Sequence, residues 1–360
     1  MDIRHLDWTA IVERHERTFA RENHDRPVLH IRYPNGRPVA MPPAPPTVHE
    51  QWFNFDWRLD CFERQFDATD YLCEGFPTVW CNLGPDILAA FMGSEMRFEN
   101  TFTSWVVHHV TDWTEEPALR FYRESWLWQE MERFLTLAAQ RGAGRWLVGS
   151  GDLHTNADGL EALRGADHLL MDLLDQPEEI KKRLRECHEV YRQVLRAHLD
   201  TIHKWSPCNS SWMDAVCTGS YVIIQNDFSC MVGPEMFDEF FKEYVQKEAQ
   251  EAERSIYHLD GPGALRHLES IAAAPDLDMI QWVPGAGAKP LPEWRTELLK
   301  IQSLGKGLWL NGTGREVIQM MEYLRPEGCI YRVDCDSREE ADVVIKACER
   351  IYGCHVKREP

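Results

Sequence analysis

The sequence predicts a (β/α)8 barrel, the TIM-barrel form of the α/β class. Short β-rich runs recur along the 360 residues, and helical patterns separate them. Several of the runs are continuously apolar, as expected for parallel strands that helices cover. A barrel of this kind can exceed about 300 residues as one domain. We therefore predict a single barrel domain over residues 1–360.

Eight runs are predicted as the barrel strands. They are 26–33, 78–84, 145–152, 220–227, 255–261, 278–285, 307–313 and 329–335. The last four strand-to-strand intervals are about 22 to 35 residues long, which fits one strand, one loop and one helix in each. A doubly wound open sheet is the alternative. It normally has a glycine-rich phosphate loop after its first strand, and "RYPNGRPVAMPPAPP" (32–46) is not one.

Helix-start signals support the intervening helices. The longest pattern begins at Asp175, an N-cap residue, and has Pro177 and two glutamates in its first turn. Two segments are predicted as additions to the barrel: an N-terminal extension at 1–25 and a long proline-rich loop or lid at 34–77. A segment such as 34–77 usually packs over the barrel end or onto the neighbouring subunit of a homodimer.

Composition excludes several classes of partner and location. The chain has 39 basic and 58 acidic residues and a net charge of −19, which disfavours nucleic acid and anionic lipid. No apolar run approaches the roughly 18–20 residues of a membrane span, and the N-terminus lacks an apolar signal core. The 11 cysteines are scattered and form no CxxC pair. We predict a cytoplasmic protein whose partners are small molecules rather than nucleic acids or membranes.

The chemistry of such a barrel lies at the carboxyl ends of its strands. Nearly every predicted strand ends on a polar or ionisable side chain, although Asp158 and Asp227 can also be explained as helix N-caps. The candidate substrate-binding residues are Trp80, Asn82, Asp152, His154, Asn226, Trp282 and Asn311.

The candidate catalytic residues are Asp227, His258 and Asp260. Residues i and i+2 of a strand point to the same side, so His258 and Asp260 should both face the barrel mouth. Such a pair suits metal binding, or acid–base work in which the carboxylate orients the imidazole. A structural hydrogen-bonded pair is the third explanation.

Several stretches together resemble the uroporphyrinogen decarboxylase superfamily. They are "LMDLLDQPEEIKKRL" (170–184), "IIQNDFSCMVGPEMFDEFF" (223–241), "SIYHLDG" (255–261), "GLWLNG" (307–312) and "GCIYRVDCDSREEADVVI" (328–345). The resemblance covers roughly 140–350 and implies a (β/α)8 barrel. Porphyrinogen decarboxylases carry an arginine-rich signature after a stretch that resembles "RPV" (26–28), but after that stretch this chain keeps only the scattered Arg32 and Arg37.

The resemblance is nearer to the cobalamin-dependent methyltransferases of the superfamily. These enzymes bind zinc through a histidine and a cysteine two apart and through a second cysteine near the last strand. His258 matches the histidine and Cys335 the second cysteine, while Asp260 stands in place of the first cysteine. The resemblance therefore implies zinc on His258, Cys335 and Asp260, and a corrinoid supplied by a partner protein.

Three functions follow from these residues. The first is methyl transfer between a corrinoid and a small acceptor, with Trp80 and Trp282 shaping the pocket. The second is a metal-free decarboxylase or lyase for a small carboxylic acid. In it Asp227 and His258 are the acid–base groups, and Asn82 and Asn311 orient the substrate. The third is a degenerate barrel that binds a ligand without catalysis.

Overall fold

The structure is a computed structural model, and it describes residues 6–358. Its strands, in chain order, are β1 (Val28–Pro34), β2 (Thr69–Cys73), β3 (Thr78–Trp80), β4 (Met96–Arg97), β5 (Trp105–Val106), β6 (Leu147–Gly149), β7 (Tyr221–Gln225), β8 (Arg254–Asp260), β9 (Met279–Val283), β10 (Gly307–Thr313) and β11 (Cys329–Asp334). Each of the eight predicted runs overlaps one of these strands, so each run forms a strand as predicted. The additional strands are β2, β4 and β5.

Helices separate and flank the strands along the chain. They are α1 (Trp8–Phe19), α2 (Val48–Phe53), α3 (Phe55–Asp67), α4 (Ile87–Phe91), α5 (Trp126–Gly142), α6 (Asn156–Arg164), α7 (Ala166–Asp175), α8 (Pro177–His203), α9 (Pro234–Phe240), α10 (Lys242–Ala249), α11 (Gly261–Ala264), α12 (Leu268–Ala272), α13 (Arg295–Ser303), α14 (Gly314–Met321) and α15 (Arg338–Tyr352). Pro177 begins α8, as predicted, but the N-cap is Gln176 rather than Asp175.

The fold is α/β with a mostly parallel central sheet. Seven strands hydrogen-bond in the order β2-β1-β11-β10-β9-β8-β7, and each neighbouring pair is parallel except β1 with β2. A separate parallel pair joins β3 to β6, and an antiparallel pair joins β4 to β5. The strands β7 to β11, which carry or precede most of the predicted site residues, therefore have their carboxyl ends at one edge of the parallel sheet.

The two faces of the central sheet carry different side chains. On β8, Tyr257 and Leu259 belong to the main apolar core together with the helices. Ile256 belongs to a second, smaller apolar cluster on the opposite face, and His258 and Asp260 follow it at two-residue spacing. Because strand side chains alternate, the opposite face becomes polar toward the carboxyl ends of the strands. We call this face the polar face.

The predicted additions have regular structure where they are described. The first five residues of the 1–25 extension lie outside the described residues, and the remainder contains α1. The segment 34–77 was expected to be a loop, but it contains α2, α3 and β2. Thr47 and Glu50 form a capping box at the start of α2, and Asn54 caps α3, so local side-chain bonds start both helices.

Two further features concern the helices and the cysteines. Within residues 6–358, none of the helices combines the length and apolarity that crossing a membrane requires. All 11 cysteines are free thiols.

Candidate functional site

A cluster of ionisable side chains lies at the carboxyl ends of β7 and β8. Asp227 opens a short 3-10 turn directly after β7, and Asn226 caps this turn by accepting the N–H of Ser229 at 3.0 Å. His258 and Asp260 end β8 and lie on the polar face. One donor atom from each of Asp227, His258 and Asp260 lies within 4.8 Å of the others. We call these three residues the His258 group.

A second set of donors adjoins the first and shares Asp227 with it. His154, Asp158 and Asp227 also place donor atoms within 4.8 Å of one another. Asp158 is buried in the first turn of α6, and its carboxylate accepts the backbone N–H groups of Asp227 at 2.9 Å and Phe228 at 2.8 Å. These bonds attach the turn after β7 to α6, so the position of Asp227 depends on both elements.

The imidazole of His258 is held in one orientation. Its Nδ1 lies 2.6 Å from Oε1 of the buried Gln281 on β9, and its ring meets that of Trp212 edge-on at 5.1 Å between centroids. An amide oxygen only accepts hydrogen bonds, so Nδ1 is the protonated nitrogen and Nε2 is left to bind a metal or a proton. Gln281 thus fixes the tautomer on which either role of His258 depends.

Burial and neighbouring charges shift the pKa values of the ionisable side chains in the cluster. Burial lowers the pKa of His154, but the carboxylates of Asp152, Asp158 and Asp227 outweigh this effect and raise that pKa to about 10. Burial raises the pKa of Asp158 and of Asp227 above the usual range for aspartate. Burial also opposes ionisation of Asp152, yet the charge of His154 holds the pKa of Asp152 below its ordinary value. A protonated histidine and ionisable carboxyls are therefore adjacent.

The arrangement suits two kinds of chemistry. Imidazole nitrogen and carboxylate oxygens are suitable ligands for zinc and other divalent cations, and three protein ligands leave a position for substrate. Asp227, His258 and Asp260 are each only partly buried, so small molecules can reach them. Asp227 Oδ1 has no hydrogen-bond partner among the described residues. Without a metal, the same groups can transfer protons.

Cys335 is not brought to this cluster. It directly follows β11 and belongs to the main apolar core together with Tyr331 and Val333 of that strand, whereas Ile330 belongs to the cluster on the polar face. Burial raises the pKa of the Cys335 thiol to about 12. In the described part of the chain, Cys335 joins no group of three donors that could share a metal. Strand alternation thus separates Cys335 from His258, contrary to the ligand set expected from the resemblance.

Trp282 is likewise on the other face. It is 1% exposed, lies in the main core and packs against Trp294 at 5.1 Å between ring centroids. A substrate on the polar face therefore does not meet Trp282 but its neighbour Gln281. The mostly apolar residues 279–283 give no clear alternation that would reveal this in the sequence.

The remaining predicted residues have distinct surroundings. Asp152 accepts the side-chain amide of Gln225 at 2.9 Å and lies 3.6 Å from His154 Nε2, so both belong to the cluster. Asn226 is buried as a cap, and Asn311 is exposed on β10. Trp80 and Asn82 line a different feature, a cavity of about 660 Å³.

This cavity adjoins the His258 group through one side chain. Trp212 lines the cavity and contacts both Trp80, at 6.1 Å between ring centroids, and His258. Reasoning from strand ends missed Trp212 because it lies in a segment between β6 and β7 that contains no strand. It also missed Arg58 and Arg332, which line the same cavity. No motif in the sequence marks these three residues.

No protein-family model matches the chain, and no curated protein matches it.

Proposed function

We propose that the chain is a metal-assisted methyltransferase whose cation is held by Asp227, His258 and Asp260. The observation that carries this proposal is the convergence of three donor atoms within 4.8 Å on the polar face. Asp227 here takes the position that the resemblance assigns to Cys335. The resulting ligand set has one nitrogen and two carboxylates and no thiolate, which zinc accepts but does not require.

The side chains around the ligands have separable roles in this proposal. Gln281 keeps the proton on His258 Nδ1 and so leaves Nε2 free. Asp158 holds the turn after β7 by accepting the backbone N–H groups of Asp227 and Phe228. A bound divalent cation would lower the pKa of a small acceptor and favour its anion. The methyl group would come from a corrinoid on a partner protein, as the resemblance implies.

We also propose that the parallel strands close into a (β/α)8 barrel. Val28 lies on β1 and Tyr221 on β7, at distant positions in the central sheet. Both nevertheless belong to the smaller apolar cluster, which lies below the polar strand ends on the polar face. Parallel bridges between Gly149 and Ser210 and between Cys208 and Gly219 connect β6 toward β7. These contacts favour closure through β3 and β6. A cytoplasmic location and a homodimer remain predictions.

The second candidate is a metal-free decarboxylase or lyase for a small carboxylic acid. The position of Cys335 in the apolar core favours it, because the zinc ligands implied by the resemblance are incomplete. Burial also raises the pKa of Asp158 and Asp227, which favours carboxyl groups that can donate as well as accept protons.

Metal analysis of the purified protein separates the two candidates. We expect about one zinc per chain in the wild type and a loss of most of it in His258→Ala and Asp227→Asn. His24→Ala is the matched control, because His24 is exposed and pairs with Glu327, which is not a member of the His258 group. The zinc-loaded wild type should demethylate methylcobalamin in the presence of a small thiol, and His258→Ala should not.

A different pattern would reject the first proposal. Wild-type protein that contains no metal and decarboxylates a carboxylic acid would establish the second candidate. Metal-free protein without either activity would favour a binding barrel.

A further inference from the structure

The cavity beside the His258 group has an aromatic wall. Four tryptophans line it, namely Trp52, Trp57, Trp80 and Trp212. The rings of Trp80 and Trp212 are tilted by 43° at 6.1 Å between centroids. Pockets of about 300–1,000 Å³ hold typical small ligands, and the volume of about 660 Å³ lies within that range. These walls suit a flat ligand of one or two rings.

The cavity also has three arginines, of which two are neutralised by the protein. Arg32 forms an ion pair with Asp334. Arg332 pairs with Asp214 at 3.1 Å and has Asp334 at 3.7 Å. Two guanidinium groups therefore face two carboxylates, and this part of the lining has no net charge.

Arg58, the third arginine, has no such partner. Among the described residues, no carboxylate lies within the 4.0 Å ion-pair distance of its guanidinium. Its hydrogen bonds go to the backbone carbonyls of Trp52 at 3.1 Å and Asn82 at 3.0 Å, and its guanidinium lies 4.5 Å from the ring centroid of Phe134. A guanidinium has five N–H donors, so three remain for another acceptor. Burial lowers the pKa of Arg58 to about 10, which reflects a charge without compensation.

Arg133 shows what a purely structural arginine looks like in the same region. It donates to the carbonyl of Phe53 at 3.0 Å and lies over Phe55 at 4.3 Å, much as Arg58 contacts Trp52 and Phe134. Arg133 is neutralised by Glu130 at 2.5 Å, however, and does not line the cavity. Arg133 thus binds a backbone carbonyl and lies over an aromatic ring as Arg58 does, and it still has a counter-ion. These structural contacts therefore do not explain why Arg58 has no carboxylate partner among the described residues.

We propose that the cavity binds an aromatic monocarboxylate, with its carboxylate on Arg58 and its ring against the tryptophans. Three arginines line the cavity and two of them pair with Asp334 and Asp214, so one positive charge is left for one anion. Trp212 also contacts His258, which places the ligand next to the His258 group. The assignment of this compound as the substrate rests on the proposed function, but its binding does not.

Isothermal titration calorimetry with 2-naphthoate and its neutral isostere 2-naphthamide tests the assignment. We expect the wild type to bind naphthoate at least about tenfold more tightly than naphthamide, the range of a charge-assisted hydrogen bond. Arg58→Met should weaken the affinity for naphthoate about 10- to 100-fold and leave the affinity for naphthamide unchanged. Arg133→Met is the matched control and should bind both as the wild type does.

Several results would overturn the inference. They are equal affinity of the wild type for the two ligands, binding of neither, and unchanged naphthoate affinity in Arg58→Met. If Arg58→Met does not fold, Arg58→Lys replaces it, because lysine keeps the charge without the fork of donors. A loss in Arg58→Lys that is confined to naphthoate supports the inference, and an equal loss for both ligands contradicts it.

The same titration on metal-stripped protein separates this inference from the proposed function. Naphthoate binding should persist when zinc is removed, because the cavity walls contain none of the three proposed ligands. If the protein never holds metal but still binds naphthoate, the carboxylate site on Arg58 is supported and only metal-assisted methyl transfer is rejected. Loss of naphthoate binding on metal removal would contradict a site built on Arg58.

Discussion

Replacing Gln281 with methionine should weaken metal binding without removing a ligand. Gln281 is 4% exposed, so water does not readily replace its amide oxygen. That oxygen accepts from His258 Nδ1 at 2.6 Å and is the only acceptor for this nitrogen in the described structure. Methionine keeps most of the volume but offers only a weak acceptor. The imidazole of Gln281→Met is therefore free to rotate or to place its proton on Nε2, where it would block the metal.

The size of the effect follows from this one hydrogen bond. Loss of the partner that orients a metal-binding histidine typically costs 10- to 100-fold in metal affinity, about 1.4–2.7 kcal/mol. A buried N–H left without its acceptor costs about 1–3 kcal/mol, which is the same range by an independent route. We therefore expect the zinc dissociation constant of Gln281→Met to rise by about one to two orders of magnitude.

Competition with a chromogenic zinc chelator near pH 7.5 measures this change. Gln302→Met is the control, because Gln302 is also buried but bonds to the carbonyl of Arg325 away from the site. Its zinc affinity should equal that of the wild type. Equal affinities of Gln281→Met and Gln302→Met would refute the role of Gln281, and a wild type that binds no zinc would refute the metal site itself.

Three further predictions concern the core and its charges. Cys335→Ala should keep the wild-type zinc content in elemental analysis, because the thiol lies in the apolar core; loss of more than half would identify it as a ligand. Glu74→Gln should lower the free energy of unfolding at pH 7 by about 3–5 kcal/mol in urea titrations, because it leaves the buried Arg26 unpaired, and a loss under about 1 kcal/mol would contradict this. Burial lowers the pKa of His198 to about 3, so between about pH 6.5 and pH 3 this imidazole is protonated in the unfolded chain but neutral in the folded chain. Between pH 7 and pH 5 the wild type should thus lose about 2 kcal/mol more than His198→Phe, and equal losses would show that His198 does not contribute.

Local sequence patterns were sufficient for the parallel strands but not for β2, β4 and β5. Apolar runs of strand length, bounded by turn and helix signals, identified all eight parallel strands. The segment 34–77 was misread because its prolines dominate the composition near its start. The capping residues Thr47, Glu50 and Asn54 were visible in the sequence and mark the two helices that the structure has there.

Part of the candidate site could also be inferred from spacing alone. The two-residue separation of His258 and Asp260 places both on one face of β8, whatever the neighbouring strands are. Asp227 joins them only because β7 pairs with β8 in a register that sets Gln225 beside His258. Register between strands depends on contacts between distant residues, so spacing could suggest Asp227 as a candidate but could not place it.

The sequence by itself therefore determined the parallel strands, the acidic surface and the polar residues at the strand ends. The tertiary structure decided which of these residues share a site. Trp282 lies in β9, whose two faces are both buried, and in such a strand the pattern of polar and apolar residues does not reveal which way a side chain points. The unpaired charge of Arg58 is likewise defined by the absence of a nearby carboxylate among the described residues, and proximity between distant segments exists only in the folded chain.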